Sequence, residues 1–138
     1  MILLRYNNFS MISEIFMKFF NYPIIGKEGR LPVYLVSVGL NEWQYHVICE
    51  NGDNYAKALY CTKGRGILII NGEKHIINPY TAFFIPAGGP HEYYSTDDSW
   101  DTHWIKPSGD SCIEMLKALG FDKPKIFPLP KKEITYLD

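Results

Sequence analysis

An excess of charge of either sign is missing from this sequence: 14 Lys and Arg stand against 15 Asp and Glu, a formal net charge of -1 at pH 7, and no run of basic residues occurs. A protein that grips nucleic acid by itself needs a positive face to displace counterions from phosphates, so a stand-alone nucleic-acid binder is argued against. Cysteine is also scarce. Cys49, Cys61 and Cys112 are odd in number and show no C-x-x-C spacing, which signals neither a disulfide framework nor a thiolate zinc site and leaves buried free thiols as the expectation. No stretch reaches the roughly 18 apolar residues of a membrane span. The apolar N-terminus is broken by Arg5, Asn7, Asn8 and Glu14 and no small-residue cleavage site follows it, so a cytoplasmic protein that does not contact membrane is expected.

What the chain does contain is 46% hydrophobic and 15% aromatic residues, with 10 Tyr, 11 Gly and 9 Pro in a length of 138. That length supports one core without staples, and the mixture of aromatics with turn formers favours many short strands. From Ser10, the residues Ile12, Ile15, Phe16, Phe19 and Phe20 recur at helical spacing until Asn21, Tyr22 and Pro23 end the pattern, which predicts an N-terminal amphipathic helix. Strands are expected at 33–38, 43–49, 55–62, 67–70, 73–77, 82–85, 91–95 and 100–106. Asn71 and Gly72 between two apolar runs mark a two-residue hairpin. Lys63 to Gly66 is expected to end one strand, and Thr96, Asp97, Asp98 and Ser99 to form an acidic turn. Residues 111–119 read as a short helix with Ile113, Leu116 and Leu119 inward and Gly120 as its stop, followed by a Pro-rich extended tail. The fold class that follows is mainly β, an antiparallel sandwich or barrel with an N-terminal helix and a short C-terminal helix.

Four histidines raise the question of a metal. Pro86, Gly88 and His91 resemble the second motif of the cupins, although Tyr80 stands where that motif has a Gly and Ser95 where it has an Asn. The first motif is not met: counting back from Gly64 puts Lys57 in the place of the metal-binding Glu and Asn51 and Asp53, or Glu50 and Gly52, in the places of the two His. An ammonium has no lone pair for a divalent ion, so no metal site and no cofactor are expected. His46 and His75 are read as solvent-facing or locally hydrogen-bonded. His91 either caps the Pro/Gly loop through a backbone hydrogen bond or contacts a ligand. No G-x-S-x-G elbow, activated Cys or dinucleotide fingerprint occurs, so no catalytic residue is assigned. Period-two alternation puts His91, Tyr93 and Ser95 on one strand face, and Trp100, Thr102 and Trp104 on one face of the next. Those faces either pack a core or meet in a barrel mouth as an aromatic cleft for a small polar ligand such as a sugar.

Three stretches, residues 64–72, 83–94 and 100–109, together resemble the N-terminal sensor domain of AraC-type transcriptional regulators: a G-x-G strand start with a hairpin, a Phe-Ile-Pro loop running into His91, and a W-x-x-x-W-I strand ending at Gly109. The resemblance covers 31–109. It implies a cupin-like jelly-roll β-barrel without metal that binds an effector, often a sugar, forms a homodimer, and reaches DNA only through a C-terminal helix-turn-helix half. It also implies ligand contacts from Tyr93, Thr102 and Trp104, to which His91 is added as a candidate. Cys49 stands where the family often has an Arg, and Pro107 where it has a Phe; losing a forked donor for sugar hydroxyls argues against arabinose itself. The expected organisation is an arm and helix at 1–30, the barrel at 31–109 and a helix with tail at 110–138, the DNA-binding half being absent from this chain. The alternative is a small cupin enzyme, an isomerase or dioxygenase with a degenerate metal site.

Overall fold

The computed structural model describes residues 3–5, 17–23 and 25–134. Its strands are β1 (Leu3–Arg5), β2 (Met17–Asn21), β3 (Tyr34–Asn41), β4 (His46–Cys49), β5 (Lys57–Ile70), β6 (Glu73–Ile77), β7 (Thr81–Ile85), β8 (His91–Ser108) and β9 (Lys125–Pro128), with helices α1 (Cys112–Ala118) and α2 (Lys131–Ile134). The hairpin read from Asn71 and Gly72 forms with φ of 53° and 77°, so that Ile70 pairs with Glu73. Both values are left-handed, a region that Gly and Asn enter at little cost.

The frame is the ladder between β5 and β8, the two longest strands, which pair from Ala58 with Ile105 to Ile70 with His91. The expected breaks in these strands do not occur. Lys63 to Gly66 and Thr96 to Ser99 lie inside the ladder, where register shifts after Cys61 and after Gly64 bend it without ending it. Glycine is required at the bend: Gly64 has φ of 75° and a Cβ there would strike the Ser99 carbonyl, while a Cβ on Gly66 would enter the Trp100 ring. Bending divides the sheet into two wings. One carries β2, β3, β7 and β9 beside the Ala58/Ile105 half of the ladder; the other carries β1, β4 and β6 beside the Ile70/His91 half.

Side chains facing between the wings form the core: Val47, Leu59, Cys61, Leu68, Ile70, Ile77, Phe83, Ile85, Tyr93, Trp100 and Trp104. Burial alternates along β5 and β8 as a half-buried strand dictates, which explains why Trp100 and Thr102 are sealed while Ile105 is exposed. For Trp100 the core reading therefore holds.

Several expectations are corrected. Among the described residues the sheet runs from β1 to β9 with no pairing that joins its ends, so the barrel is open. The N-terminal helix falls partly on 6–16, outside the described residues, and its last part is β2, antiparallel to β3. Helical spacing of apolar residues cannot report that an open strand edge lies across from them. Helix α1 forms and ends at Gly120, but Ile113 and Leu119 are exposed and Cys112 is the side chain it buries. Part of the expected extended tail is β9, which pairs with β7. No helix among the described residues is long and apolar enough to cross a membrane.

Candidate functional site

Alternation along β5 turns Lys57 inward with Leu59 and Cys61, and alternation along β8 turns Lys106 inward with Trp104 and Thr102. Because Ala58 pairs with Ile105 in an antiparallel ladder, the two lysines stand opposite each other at the next position. Like charges across a ladder repel, more strongly where water is excluded. The third member, Asp53, comes from the loop between β4 and β5. Its Oδ2 accepts from Lys106 Nζ at 2.7 Å and lies 3.2 Å from Lys57 Nζ, with all three residues buried. The loop is anchored as well: Tyr55 N donates to Asp53 Oδ1 (3.2 Å), Gly88 N donates to Asp53 O (2.7 Å), and Gly52 packs so closely on Gly88 that a Cβ would overlap its backbone.

Burial raises the Asp53 carboxyl pKa, but the Lys106 hydrogen bond and the charges of Lys57 and Lys106 outweigh it and hold the group at about 2. Lys57 is pulled down by burial and then by the charge of Lys106, against the pull of Asp53. His91 is lowered to about 4, first by burial and then by the Lys57 charge. A neutral imidazole donates from Nδ1 to Gly89 O at 2.7 Å, the loop-capping role, which leaves Nε2 a buried lone pair with no hydrogen-bond partner.

A cavity of about 30 Å³ lies beside this ion cluster, lined by Tyr22, Asn41, Tyr45, Lys57, Leu59, Tyr93, Trp104 and Lys106. The Tyr22 ring lies 6.0 Å from that of Trp104. Tyr93 is held by Phe83 edge-on at 5.8 Å, by Trp100 at 6.2 Å, and by His91 stacked at 5.9 Å. Behind the cavity sits an amide network. Gln44 Nε2 donates to Tyr45 O (3.0 Å), so its Oε1 faces Thr102 Oγ1 (2.5 Å) and Asn41 Nδ2 (2.7 Å), both of which donate to it.

Of the four residues singled out in the sequence, Tyr93 and Trp104 line one cavity, His91 stacks on Tyr93, and Thr102 is fully buried and shares the Gln44 Oε1 acceptor with Asn41. Sequence reasoning missed Lys106, Asn41 and Gln44, and treated Lys57 and Asp53 only as places where a metal ligand is missing. The signal for Lys106 was available, since it continues the inward parity of Trp100, Thr102 and Trp104.

A second hollow of about 500 Å³ lies on the outer face of the sheet, where Val38, Leu40, Tyr60, His103, Ile105 and Phe127 gather and Tyr60 Oη meets His103 Nδ1 at 2.7 Å. Apart from that pair its walls are apolar, and the buried charges are all on the inner side. The described residues contain no group of three or more His, Cys, Asp or Glu placed to hold a metal ion. Burial raises the thiol pKa values of Cys49, Cys61 and Cys112, that of Cys61 to about 11, so the nucleophilic thiolate is suppressed at each.

Residues 42–136 match the family model of the AraC-like ligand binding domain. No curated protein matches the chain. Among solved structures, apo ToxT from Vibrio cholerae aligns with a TM-score of 0.57 at 9% identity, over 78% of this chain and 45% of that one. ToxT bound to an unsaturated fatty acid aligns with a TM-score of 0.54 at 10% identity, over 72% and 43%. ToxT bound to (E)-4-(8-methylnaphthalen-1-yl)but-3-enoic acid gives 0.54 at 19% identity, over 72% and 45%. At these identities the likeness is one of fold, and this chain spans less than half the length of those proteins.

Proposed function

Since the chain belongs to the AraC-like ligand-binding domain family, we propose that it is the effector-sensing and dimerisation domain of an AraC-family transcription regulator, taking its effector in the inner cavity between Tyr93 and Trp104. The observation that supports this most is the match of residues 42–136 to that family; the cavity, about 30 Å³ as it stands, adds the aromatic side chains of Tyr45, Tyr93 and Trp104 beside directional polar groups. Aromatic faces suit the C–H faces of a sugar-like ring, and Asn41, Lys57 and Lys106 supply hydrogen bonds at its edge. ToxT, which shares the fold, is seen with organic small molecules. DNA is reached through a helix-turn-helix half outside this chain, in keeping with the balanced charge of 14 against 15.

An enzymatic role has less support. Where a cupin metal ligand is expected by motif counting, Lys57 presents an ammonium to Asp53, and His91 Nδ1 is spent on Gly89 O. Calorimetric and thermal-shift screening of the purified chain against sugars, sugar acids and other metabolites tests the sensor reading. A saturable ligand whose binding is lost in Trp104→Ala is the expected result. A screen without hits, together with stoichiometric iron, manganese or zinc in the purified protein, would reverse it in favour of the enzyme.

A further inference from the structure

We propose that the hollow on the outer face of the sheet is a second small-molecule site, which takes a neutral, largely apolar aromatic compound. The proposal goes beyond the sensor reading and does not depend on the inner cavity. The hollow follows from the register, because cross-strand partners share a face of the sheet. One row of outward side chains crosses five strands, from Leu40 through His103, Tyr60 and Ala82 to Phe127. The next row runs from Val38 through Ile105 to Ala58. Ala58 and Ala82 are diagonal neighbours on β5 and β7 and the smallest members of their rows, so the face is recessed over them. Ala82 is only 5% exposed although it lines the hollow, as a sunken floor should be.

Size and wall chemistry decide the occupant. At about 500 Å³ the hollow falls inside the roughly 300–1,000 Å³ of ligand pockets. The flat face of a second copy would rest on the rim of Leu40, Ile105 and Phe127 and leave a void over the two alanines, forfeiting the contacts that a ring seated on the floor makes. None of the described residues lining the hollow is Asp, Glu, Lys or Arg. Its one polar feature is closed on itself: the Tyr60 hydroxyl lies 2.7 Å from His103 Nδ1, with the two rings 4.6 Å apart. A carboxylate entering here would lose its water without meeting an ammonium or a guanidinium, which is costly. A neutral ring buries its faces against Ile105, Phe127 and Leu129 and its edge against the Tyr60 and His103 rings without that cost.

The two sites are back to back. Leu59 and Trp104 line both hollows, whereas Ala58 and Ala82 line only the outer one. Substitution at the alanines therefore separates the outer site from the inner cavity.

Isothermal titration of the full chain at pH 7 with indole and 4-phenylphenol, and with biphenyl-4-carboxylate as the acid built on the same rings as the phenol, tests the assignment. One equivalent of a neutral probe should bind, and 4-phenylphenol about tenfold or more tighter than the carboxylate, the cost of an uncompensated charge. Ala58→Leu and Ala82→Leu each fill the floor from the outer side and should weaken the neutral probe about tenfold or more. Melting curves show whether each variant folds, and either one serves if the other does not. Carboxylate binding as tight as that of 4-phenylphenol would overturn the neutral assignment. Binding that survives both substitutions would overturn the site. Binding of neither neutral probe would overturn the proposal, and a concentration-dependent dimer in sedimentation that Ala58→Leu and Ala82→Leu abolish would give the face to a second copy instead. The sensor reading stands or falls separately, by the metabolite screen and Trp104→Ala.

Discussion

Replacing Asp53 by Asn keeps the shape of the side chain and removes the charge that Lys57 and Lys106 both contact. Part of the cost can be worked from the carboxyl itself. Its pKa lies at about 2 in the folded protein against 3.8 for a free aspartate side chain, which at about 1.4 kcal/mol per unit corresponds to roughly 2.5 kcal/mol of stability from its partners. Two opposed ammonium groups then lose their shared counter-charge. Removing one partner of a buried ion cluster costs about 3–5 kcal/mol. Against a total stability of about 5–15 kcal/mol this is a large fraction. Urea denaturation at pH 7, followed by tryptophan fluorescence, should show Asp53→Asn losing about 3 kcal/mol or more. Lys106→Met, which removes the 2.7 Å hydrogen bond but keeps the Lys57 contact with Asp53, should lose less. The pH dependence gives a second reading. A depressed carboxyl contributes its full stabilisation above the unfolded pKa and loses it as pH falls from about 3.8 to about 2, so wild type should weaken in that window and Asp53→Asn should lack that component. An Asp53→Asn variant within about 1 kcal/mol of wild type would refute the reasoning.

His91, lowered from 6.5 to about 4, binds its proton later than the unfolded chain does; stability should therefore fall by about 3 kcal/mol as pH drops from about 6.5 to about 4. NMR of the imidazole should give the Nδ1–H tautomer and a midpoint near 4, and a midpoint near 6.5 would contradict the burial argument. Gly66→Ala places a methyl in the Trp100 ring and should cost about 1–3 kcal/mol, seen as a lowered thermal midpoint; an unchanged midpoint would mean that the bend in the ladder has slack. All three cysteines are free and buried, so a thiol reagent should leave them largely unmodified in the native protein and label all three in denaturant; rapid native labelling would count against the core as described.

What was legible in the sequence was what short-range chemistry decides. Asn71 and Gly72 close their hairpin because two adjacent positive φ values need those residue types, and Tyr93 and Trp104 share a cavity because alternation along β8 is strict on either side of it. What was not legible depends on partners distant in sequence. Gly64, Gly66 and the acidic run at 96–99 carry the marks of turns, but each faces the other strand of the ladder and bends with it. Ile113 and Leu119 fit a helical stripe, yet α1 is seated by Cys112, and no count of apolar spacing reveals which side meets the sheet. Lys57 is the instructive miss. Judged by the metal it could not bind it was a blank, whereas beside Lys106 and Asp53 it is part of the most polar point of the interior.

The β5/β8 ladder also ranks its own pairs by the chain entropy needed to close them. Its two ends are unequal in the chain length they enclose: Ile70 meets His91 across a short intervening segment, whereas Ala58 meets Ile105 across one that contains the first. Closing the shorter loop costs less chain entropy, and once it is closed each further pair outward costs little more. The ladder is thus a zipper whose closed end lies beside the hairpin at Asn71 and Gly72 and whose last teeth are the positions of Lys57 and Lys106. In that ranking the positions of the two ammonium groups are the costliest to join first and cost little once the rest of the ladder is in place.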